Sequence, residues 1–176
     1  ELCSRFAQND RTLFAYLGSN DPRSVHSFIE NETWASKRQL PLVRIDHLYD
    51  YFVESVSTSI STSDLSSRWI EIETRIRDTA GLSLVEVQVL KTVGVLNLIS
   101  AGGVYRASRD AVSYSLNDCT FIEDAASASR EAIERLVAVG ILVYREFADE
   151  YRIWFGTDYP LQDRLQLERG SARGKT

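Results

Sequence analysis

The sequence predicts a mainly α-helical fold, a helical bundle followed by a winged helix-turn-helix whose wing is a two-stranded β-hairpin. Three observations predict it. Segments of the first half repeat apolar residues at helical spacing between turn residues. Residues 84–99 are apolar on almost every side, as in a buried helix. After Gly140 the apolar period changes from about 3.6 residues to 2, which is typical of a helix followed by strands.

Short helices fill the first half. Residues 9–18 begin with Asn-Asp as N-caps, continue with an apolar face and end on a glycine, so they predict a first helix. Asp21 and Pro22 supply a cap and a first-turn proline for a second helix. Residues 31–44 are mixed and contain a proline, which predicts a loop. Residues 45–56 return to apolar spacings of three and one, and predict a longer helix.

A segment rich in serine and threonine, residues 55–67, predicts a connector or the frayed ends of two helices. Asp64 can cap the next helix, which Gly81 closes. We place the domain boundary here. The predicted parts are a helical lid-like domain, a winged-helix domain and a tail or linker, at residues 1–80, 81–160 and 161–176.

The second half begins with the most apolar segment of the chain. Residues 84–99 carry one pair of charges, Glu86 and Lys91, and predict a helix that is buried on most of its circumference. Their many valines make a strand the competing interpretation. A helix is favoured because the segment is long and contains no turn.

Two helices and a hairpin follow. Ser108 can cap a short helix over residues 109–116. Ser127 or Ser129 can cap a third, over residues 130–139.

Gly140 can end the third helix in a left-handed conformation. Residues 141–145 then alternate as a strand, residues 147–150 make the turn and residues 151–155 return. This order of elements is that of a winged helix-turn-helix.

Composition limits the chemistry. No apolar run approaches the roughly 20 residues that span a bilayer, so we expect no membrane partner. Cys3 and Cys119 stand far apart without a CxxC pattern, which indicates reduced thiols in the cytoplasm. His26 and His47 have no further ligand at metal-binding spacing. No nucleophile elbow is present, so we predict no catalytic residue and no enzyme activity for this chain itself.

Two segments resemble parts of large bacterial P-loop ATPases, some of them associated with defence against phage. Residues 5–14 (RFAQNDRTLF) are similar to a phrase that recurs in these proteins. Tyr144 and Arg145, taken with residues 151–158 (YRIWFGTD), resemble their wing and its exit. In such ATPases a helical lid and then a winged helix follow the nucleotide-binding core, an order shared with AAA+ and STAND-type NTPases.

The resemblance implies a partner and a ligand. The chain starts at Glu1 and contains no methionine, so we expect it to be part of a longer polypeptide. The implied partner is an ATPase core, in the same polypeptide or in a neighbouring subunit. ATP is the cofactor of that core, and none is implied for this chain. Arg5 or Arg11 is then the candidate that senses the γ-phosphate; the alternative is that they cap or bridge helices at the surface.

The third helix and the wing carry the candidate partner contacts, Arg130, Arg135, Arg145 and Arg152. Across residues 123–152 these four arginines stand against seven carboxylates, a balance of −3, and the whole chain carries −5. A surface of this charge disfavours DNA, and the third helix has no Asn or Gln to read bases.

Alternation places Tyr151, Ile153 and Phe155 on one face of the returning strand, and Arg152 and Trp154 on the other. We expect Trp154 to be the aromatic residue that contacts a partner. The favoured hypothesis is a coupling region that relays nucleotide state, by rotation of the winged helix about the serine- and threonine-rich connector. The alternative is a winged-helix transcriptional regulator that binds DNA.

Overall fold

The computed structural model describes residues 11–31, 42–58, 64–100, 105–116 and 123–155. Within them the chain forms seven α-helices and one two-stranded antiparallel sheet, so the predicted fold class is confirmed. The helices are α1 (Leu13–Gly18), α2 (Val25–Asn31), α3 (Ile45–Thr58), α4 (Asp64–Asp78), α5 (Leu84–Ile99), α6 (Arg109–Leu116) and α7 (Glu123–Ala138). The strands are β1 (Leu142–Arg145) and β2 (Glu150–Ile153), and a 3-10 turn, Glu146–Ala148, joins them.

Helix α1 begins after Thr12, so the prediction of Asn9 or Asp10 as its cap was wrong; both lie outside the described residues. The Thr12 hydroxyl accepts a hydrogen bond from the Ala15 backbone N–H at 3.0 Å. A threonine directly before the first turn satisfies a backbone donor that has no partner within the helix.

Helix α2 begins three residues later than Asp21-Pro22 predicts. The Ser24 backbone N–H donates to the Asp21 carbonyl at 3.0 Å, and the Ser24 hydroxyl accepts from the Ser27 N–H at 3.3 Å. Ser24 therefore caps the helix. Arg23, just before it, has a left-handed φ of 63°, which closes the turn that the proline begins.

The next two helices lie where the sequence places them. Helix α3 covers the predicted helix of residues 45–56 and continues to Thr58. Helix α4 begins at Asp64, and Gly81, at a φ of +76°, follows its end in the left-handed conformation that glycine favours. The segment of residues 55–67 is thus helical at both of its described ends.

Helix α5 has the bounds that the sequence predicts. Ser83 and Glu86 form a capping box, in which each side chain bonds the backbone N–H of the other. Most of the helix is buried, as predicted from its apolar circumference. Its buried members are Glu86, Val89, Leu90, Thr92, Val93, Gly94, Val95, Leu96 and Leu98.

Helix α6 begins at the predicted cap, where the Ser108 hydroxyl accepts from the Ala111 N–H at 3.1 Å. Helix α7 begins at Glu123, well before the predicted caps, so the prediction for Ser127 and Ser129 was wrong and both lie inside the helix. An alanine-rich start supports helix, and serine is accommodated within it. The Ser127 hydroxyl donates to Glu131 Oε1, one turn away, at 3.2 Å.

Gly140 ends α7 as predicted, at a φ of +74°. The Ile141 N–H donates to the Leu136 carbonyl at 2.9 Å, and the Gly140 N–H to the Val137 carbonyl at 3.0 Å. This pair of bonds is a Schellman motif, which satisfies the last carbonyls of a helix. It turns the chain directly into β1.

The hairpin pairs Leu142 with Ile153 and Tyr144 with Tyr151 on the face that packs inward. The two tyrosine rings lie 4.9 Å apart. The predicted wing is confirmed, with its turn at the 3-10 segment and at Asp149, whose φ is 45°.

Helix α5 lies at the centre of these elements. It packs against α3 and α4 from the first half, and against α6, α7 and β2 from the second. One continuous hydrophobic cluster includes buried residues of both halves. The predicted boundary near residue 80 stays a prediction, and it falls directly before the helix that both halves share.

Candidate coupling interface

Gly94 marks the closest approach around α5. A Cβ placed there would lie 2.9 Å from Ile72 Cγ2 of α4 and 3.5 Å from Ile153 Cδ1 of β2. Glycine inside a helix costs roughly 1 kcal/mol relative to alanine, so a close contact is the physical reason to have one here. Three elements, α4, α5 and β2, meet at this residue.

Asn97 joins α5 to β2 by two hydrogen bonds. Its Nδ2 donates to the Tyr151 carbonyl at 2.8 Å, and its Oδ1 accepts from the Ile153 N–H at 3.3 Å. The Tyr151 N–H donates to the Ala107 carbonyl at 2.8 Å. The edge of β2 that faces away from β1 is therefore satisfied by α5 and by the segment before α6, as buried backbone groups require.

Lys91 joins α5 to α3. Its Nζ lies 2.6 Å from Asp50 Oδ1 and 5.8 Å from the centroid of the Tyr49 ring. The Tyr49 hydroxyl in turn donates to Glu73 Oε2 of α4 at 2.8 Å. Burial, and next the negative charge of Glu73, raise the pKa of Tyr49 far above its usual range. These contacts bind α3, α4 and α5 into one network.

Arg135 joins α7 to the start of α5. Its Nε lies 2.9 Å from Glu86 Oε1, and its Nη2 donates to Oε2 at 3.0 Å. Burial alone would raise the pKa of Glu86, but the hydrogen bonds from Ser83 and the charge of Arg135 outweigh it, so the pKa lies below its usual value. Arg135 is thus bound within the chain, and its contact with a partner stays a prediction.

The other predicted contacts lie around the wing and are spread apart. Arg130 on α7 and Arg145 on β1 are exposed. Arg152 Nε lies 2.9 Å from Glu150 Oε2, an ion-pair distance, although its N–H is not directed at an acceptor. Trp154 is 43% exposed, and its backbone N–H donates to the Ile141 carbonyl. Their partner contacts stay predictions.

Of the two predicted phosphate sensors, Arg5 lies outside the described residues. Arg11 Nη1 donates to the Tyr51 carbonyl at 2.7 Å, and the guanidinium lies 4.6 Å from the centroid of the Tyr51 ring. Arg11 therefore ties the start of α1 to α3. Its role as a sensor stays a prediction.

Two arginines that the sequence did not single out hold the wing. Arg106 Nη1 donates to the Ala148 carbonyl at 3.2 Å. The Arg109 guanidinium lies 4.2 Å from the centroid of the Tyr144 ring, whose hydroxyl donates to Asp149 Oδ1 at 2.8 Å. Nothing in their local pattern indicates this, because the wing lies about 40 residues further along the chain.

Gly94 and Asn97 were not predicted as contact residues, although the sequence indicates that both are unusual. Both interrupt the most apolar helix of the chain, one with a glycine and one with an amide. A residue that is unfavourable in a buried helix indicates a close contact or a hydrogen-bond partner.

The described ranges hold no group of three His, Cys, Asp or Glu side chains placed to bind a metal ion. His47 Nδ1 accepts from the Arg44 N–H at 3.3 Å, and its ring lies 5.1 Å from that of Phe28. None of the described helices combines the length and apolar character needed to cross a bilayer. Cys3 and Cys119 lie outside the described residues.

No protein-family model, curated protein or solved structure matches the chain. Function must therefore be argued from the contacts and the charges themselves. The contacts converge on α5. The charges of α7 and the wing help to decide between a protein and DNA as the partner.

Proposed function

We propose that this chain is a non-catalytic coupling region, which relays the nucleotide state of a bacterial ATPase core to a partner through its winged helix. One observation carries the proposal: α5 is bound to both halves, at Lys91, Gly94 and Asn97. Closely packed interiors transmit displacements because they deform little. The ATPase core and the cytoplasmic location are proposed from the sequence alone.

The contacts favour a joint movement over a hinge. A rotation about residues 55–67 alone would separate α3 from α5 and break the contact between Asp50 and Lys91. A displacement of α3, α4 and α5 together keeps that contact. The strand β2 would then follow α5 through the two bonds of Asn97.

The surface charges favour a protein partner over DNA. Two of the four candidate arginines, Arg135 and Arg152, lie at ion-pair distance from carboxylates of the same chain. The other exposed arginines on this side of the chain are matched by exposed carboxylates. The arginines are Arg106, Arg109, Arg130 and Arg145, and the carboxylates are Asp110, Glu131, Glu134, Glu146 and Asp149. Phosphate neutralisation supplies most of the affinity of non-specific DNA binding, so this surface is poorly suited to it.

A gel-shift titration separates the two candidate functions. We expect no retarded DNA band, even at low salt. A band whose affinity falls steeply with rising salt would support the transcriptional regulator instead.

The coupling itself is tested by hydrogen exchange on the whole encoded protein, with ADP or with a non-hydrolysable ATP analogue. We expect the Tyr151 and Trp154 amides to exchange at different rates in the two states. Lys91→Ala, which breaks the link between α5 and α3, should shrink that difference, and the exposed Glu30→Gln on α2 should not. Equal exchange of the winged-helix amides in both states would contradict the proposal.

A further inference from the structure

An open groove of about 500 Å³ lies where α4, α5 and β2 meet. Buried Ile72, Leu98 and Ile153 form its apolar surface, and half-exposed Phe155 adds an aromatic ring. Pockets for small molecules commonly measure roughly 300–1,000 Å³ and are lined mainly by apolar and aromatic groups. The groove therefore has the size to hold a small ligand, and its lining is divided between these four apolar side chains and four polar ones, Arg68, Glu71, Asn97 and Arg152.

Two guanidinium groups line the same groove. Arg68 of α4 is exposed, and it forms no hydrogen bond or ion pair with any side chain that the structure describes. Arg152 of β2 is already at ion-pair distance from Glu150, with its Nε 2.9 Å from Glu150 Oε2, so only the terminal nitrogens of its guanidinium are left to meet a ligand. Of the described residues that line the groove, Glu71 is the one carboxylate. A guanidinium group beside an apolar surface offers a fork of donors that fits a carboxylate or a phosphate.

We propose that this groove binds a small amphipathic anion, an aromatic or aliphatic body that carries one oxyanion group. The oxyanion lies beside Arg68 and Arg152, and the body covers Ile72, Ile153 and Phe155. Binding in the groove requires no ATPase core, so it stands or falls separately from the coupling function.

The position of the groove gives such a ligand a means to act on the fold. Ile72 and Ile153 are the two side chains that approach Gly94, so they line the groove and also form the junction of α4, α5 and β2. A bound ligand would contact α4 and β2 together. It would thereby stabilise the arrangement of the two halves in which the groove has this shape.

The test is a titration of the full chain, with labelled isoleucine and leucine methyl groups, followed by NMR. The probes are 1-naphthoate, 1-naphthyl phosphate and the uncharged 1-naphthalenemethanol. We expect saturable shifts of the Ile72, Leu98 and Ile153 methyl signals with at least one anion, and clearly weaker binding of the alcohol. The tighter of the two anions identifies the oxyanion as a carboxylate or a phosphate.

Variants assign the binding to the groove. Arg68→Gln should weaken binding of the anion by about tenfold, since a hydrogen bond to a charged group is lost. Glu71→Gln should strengthen binding of the anion, because a like charge is removed. Arg77→Gln makes the same substitution on the same helix, outside the groove, and should leave affinity unchanged.

Three outcomes would overturn the proposal. The first is a set of shifts that do not saturate or that the alcohol reproduces. The second is unchanged affinity in Arg68→Gln, with the fold of the variant verified by its melting temperature. The third is weaker binding in Glu71→Gln, which would indicate a zwitterionic or cationic ligand.

Discussion

The two regions on either side of α5 are built from different side chains. The described residues before α5 pack around an aromatic cluster, and those from α5 onward pack around mainly aliphatic side chains. The aromatic cluster consists of Tyr16, Tyr49, Tyr51, Phe52 and Trp69. The aliphatic core includes Val89, Leu90, Val93, Leu96, Val112, Leu136, Ile141, Leu142 and Ile153.

The difference lies in the polar atoms that the aromatic cluster brings into the interior. The Tyr49 hydroxyl bonds Glu73, 24 residues away, and the Tyr51 hydroxyl bonds Asp21, 30 residues away. Such bonds fix one arrangement of the helices, because a buried hydroxyl without a partner is costly. The aliphatic region also buries polar groups, but its long-range bonds are made by Glu86, Arg135 and Asn97 and not by the hydroxyls of its core rings.

The largest expected effect is in the aromatic region. Trp69 is fully buried, with its ring 5.5 Å from that of Tyr49 and 6.0 Å from that of Phe52. Trp69→Ala should lower the free energy of unfolding by about 3–5 kcal/mol in urea titrations, because a large cavity opens. Tyr114→Ala, at a side chain that is 83% exposed, should change it by less than about 0.5 kcal/mol. Equal effects would contradict the assigned core.

The strand edge gives the largest polar effect in the aliphatic region. Asn97→Leu keeps the size of the side chain but leaves the Tyr151 carbonyl and the Ile153 N–H without partners. We expect a loss of about 2–3 kcal/mol, measured by urea unfolding, together with faster exchange of the Ile153 amide. Gln88→Leu, the matched amide replacement on α5, should have little effect. If Asn97→Leu left the free energy of unfolding unchanged, water would satisfy the strand edge equally well.

Acid should act on the start of α5. The pKa of Glu86 is lowered in the folded chain. The ionised carboxylate therefore stabilises the fold fully above the usual pKa of glutamate, about 4.3. This stabilisation is lost as the pH falls through the pKa of the folded chain. Glu86→Gln should therefore cost about 1–2 kcal/mol at pH 7, and the difference from the wild type should vanish in acid. Thermal unfolding from pH 7 to pH 2 measures this. The exposed Glu30→Gln serves as the control, and a cost that does not depend on pH would contradict the ionic role.

High pH should destabilise the aromatic region. The substitution that tests this has the smallest expected effect on stability. Burial, and next the charge of Asp46, raise the pKa of Tyr16 to about 12, and its hydroxyl has no hydrogen-bond partner among the described residues. A raised pKa contributes stability below the usual value of about 10, which is lost as pH rises towards 12. Tyr16→Phe should be neutral, or stabilising by up to about 1 kcal/mol, at pH 7 and less sensitive to alkali. Urea unfolding at pH 7 and at pH 11 measures the change in stability and its sensitivity to alkali. A large loss of stability at pH 7 would reveal a hydrogen-bond partner for the hydroxyl.

Local patterns predicted the elements of the aliphatic region best. The bounds of α5, the cap at Ser108, the left-handed Gly140 and the hairpin follow from apolar period and glycine placement, which are properties of neighbouring residues. The caps of α1 and the start of α7 did not follow, because several adjacent polar residues could serve equally well.

The candidate interface was less accessible to the sequence. Arg11 and Arg135 were predicted to face nucleotide or a partner, yet they bond Tyr51 and Glu86, 40 and 49 residues away. The partner of a charged side chain is set by tertiary packing, which periodicity does not reveal. Gly94 and Asn97 were visible as departures from an apolar pattern, although their contacts were not.

The central claim is that α5 joins the two regions into one cooperative unit. Phe52→Leu, in the aromatic cluster, tests it most directly through hydrogen exchange of the Tyr151 and Trp154 amides in the wing. If the claim holds, both amides lose the same free energy of protection as the α3 amides, about 1–1.5 kcal/mol, or roughly tenfold faster exchange. Faster exchange in α3 alone, with the wing unchanged, would show that the two regions unfold independently and would contradict the claim.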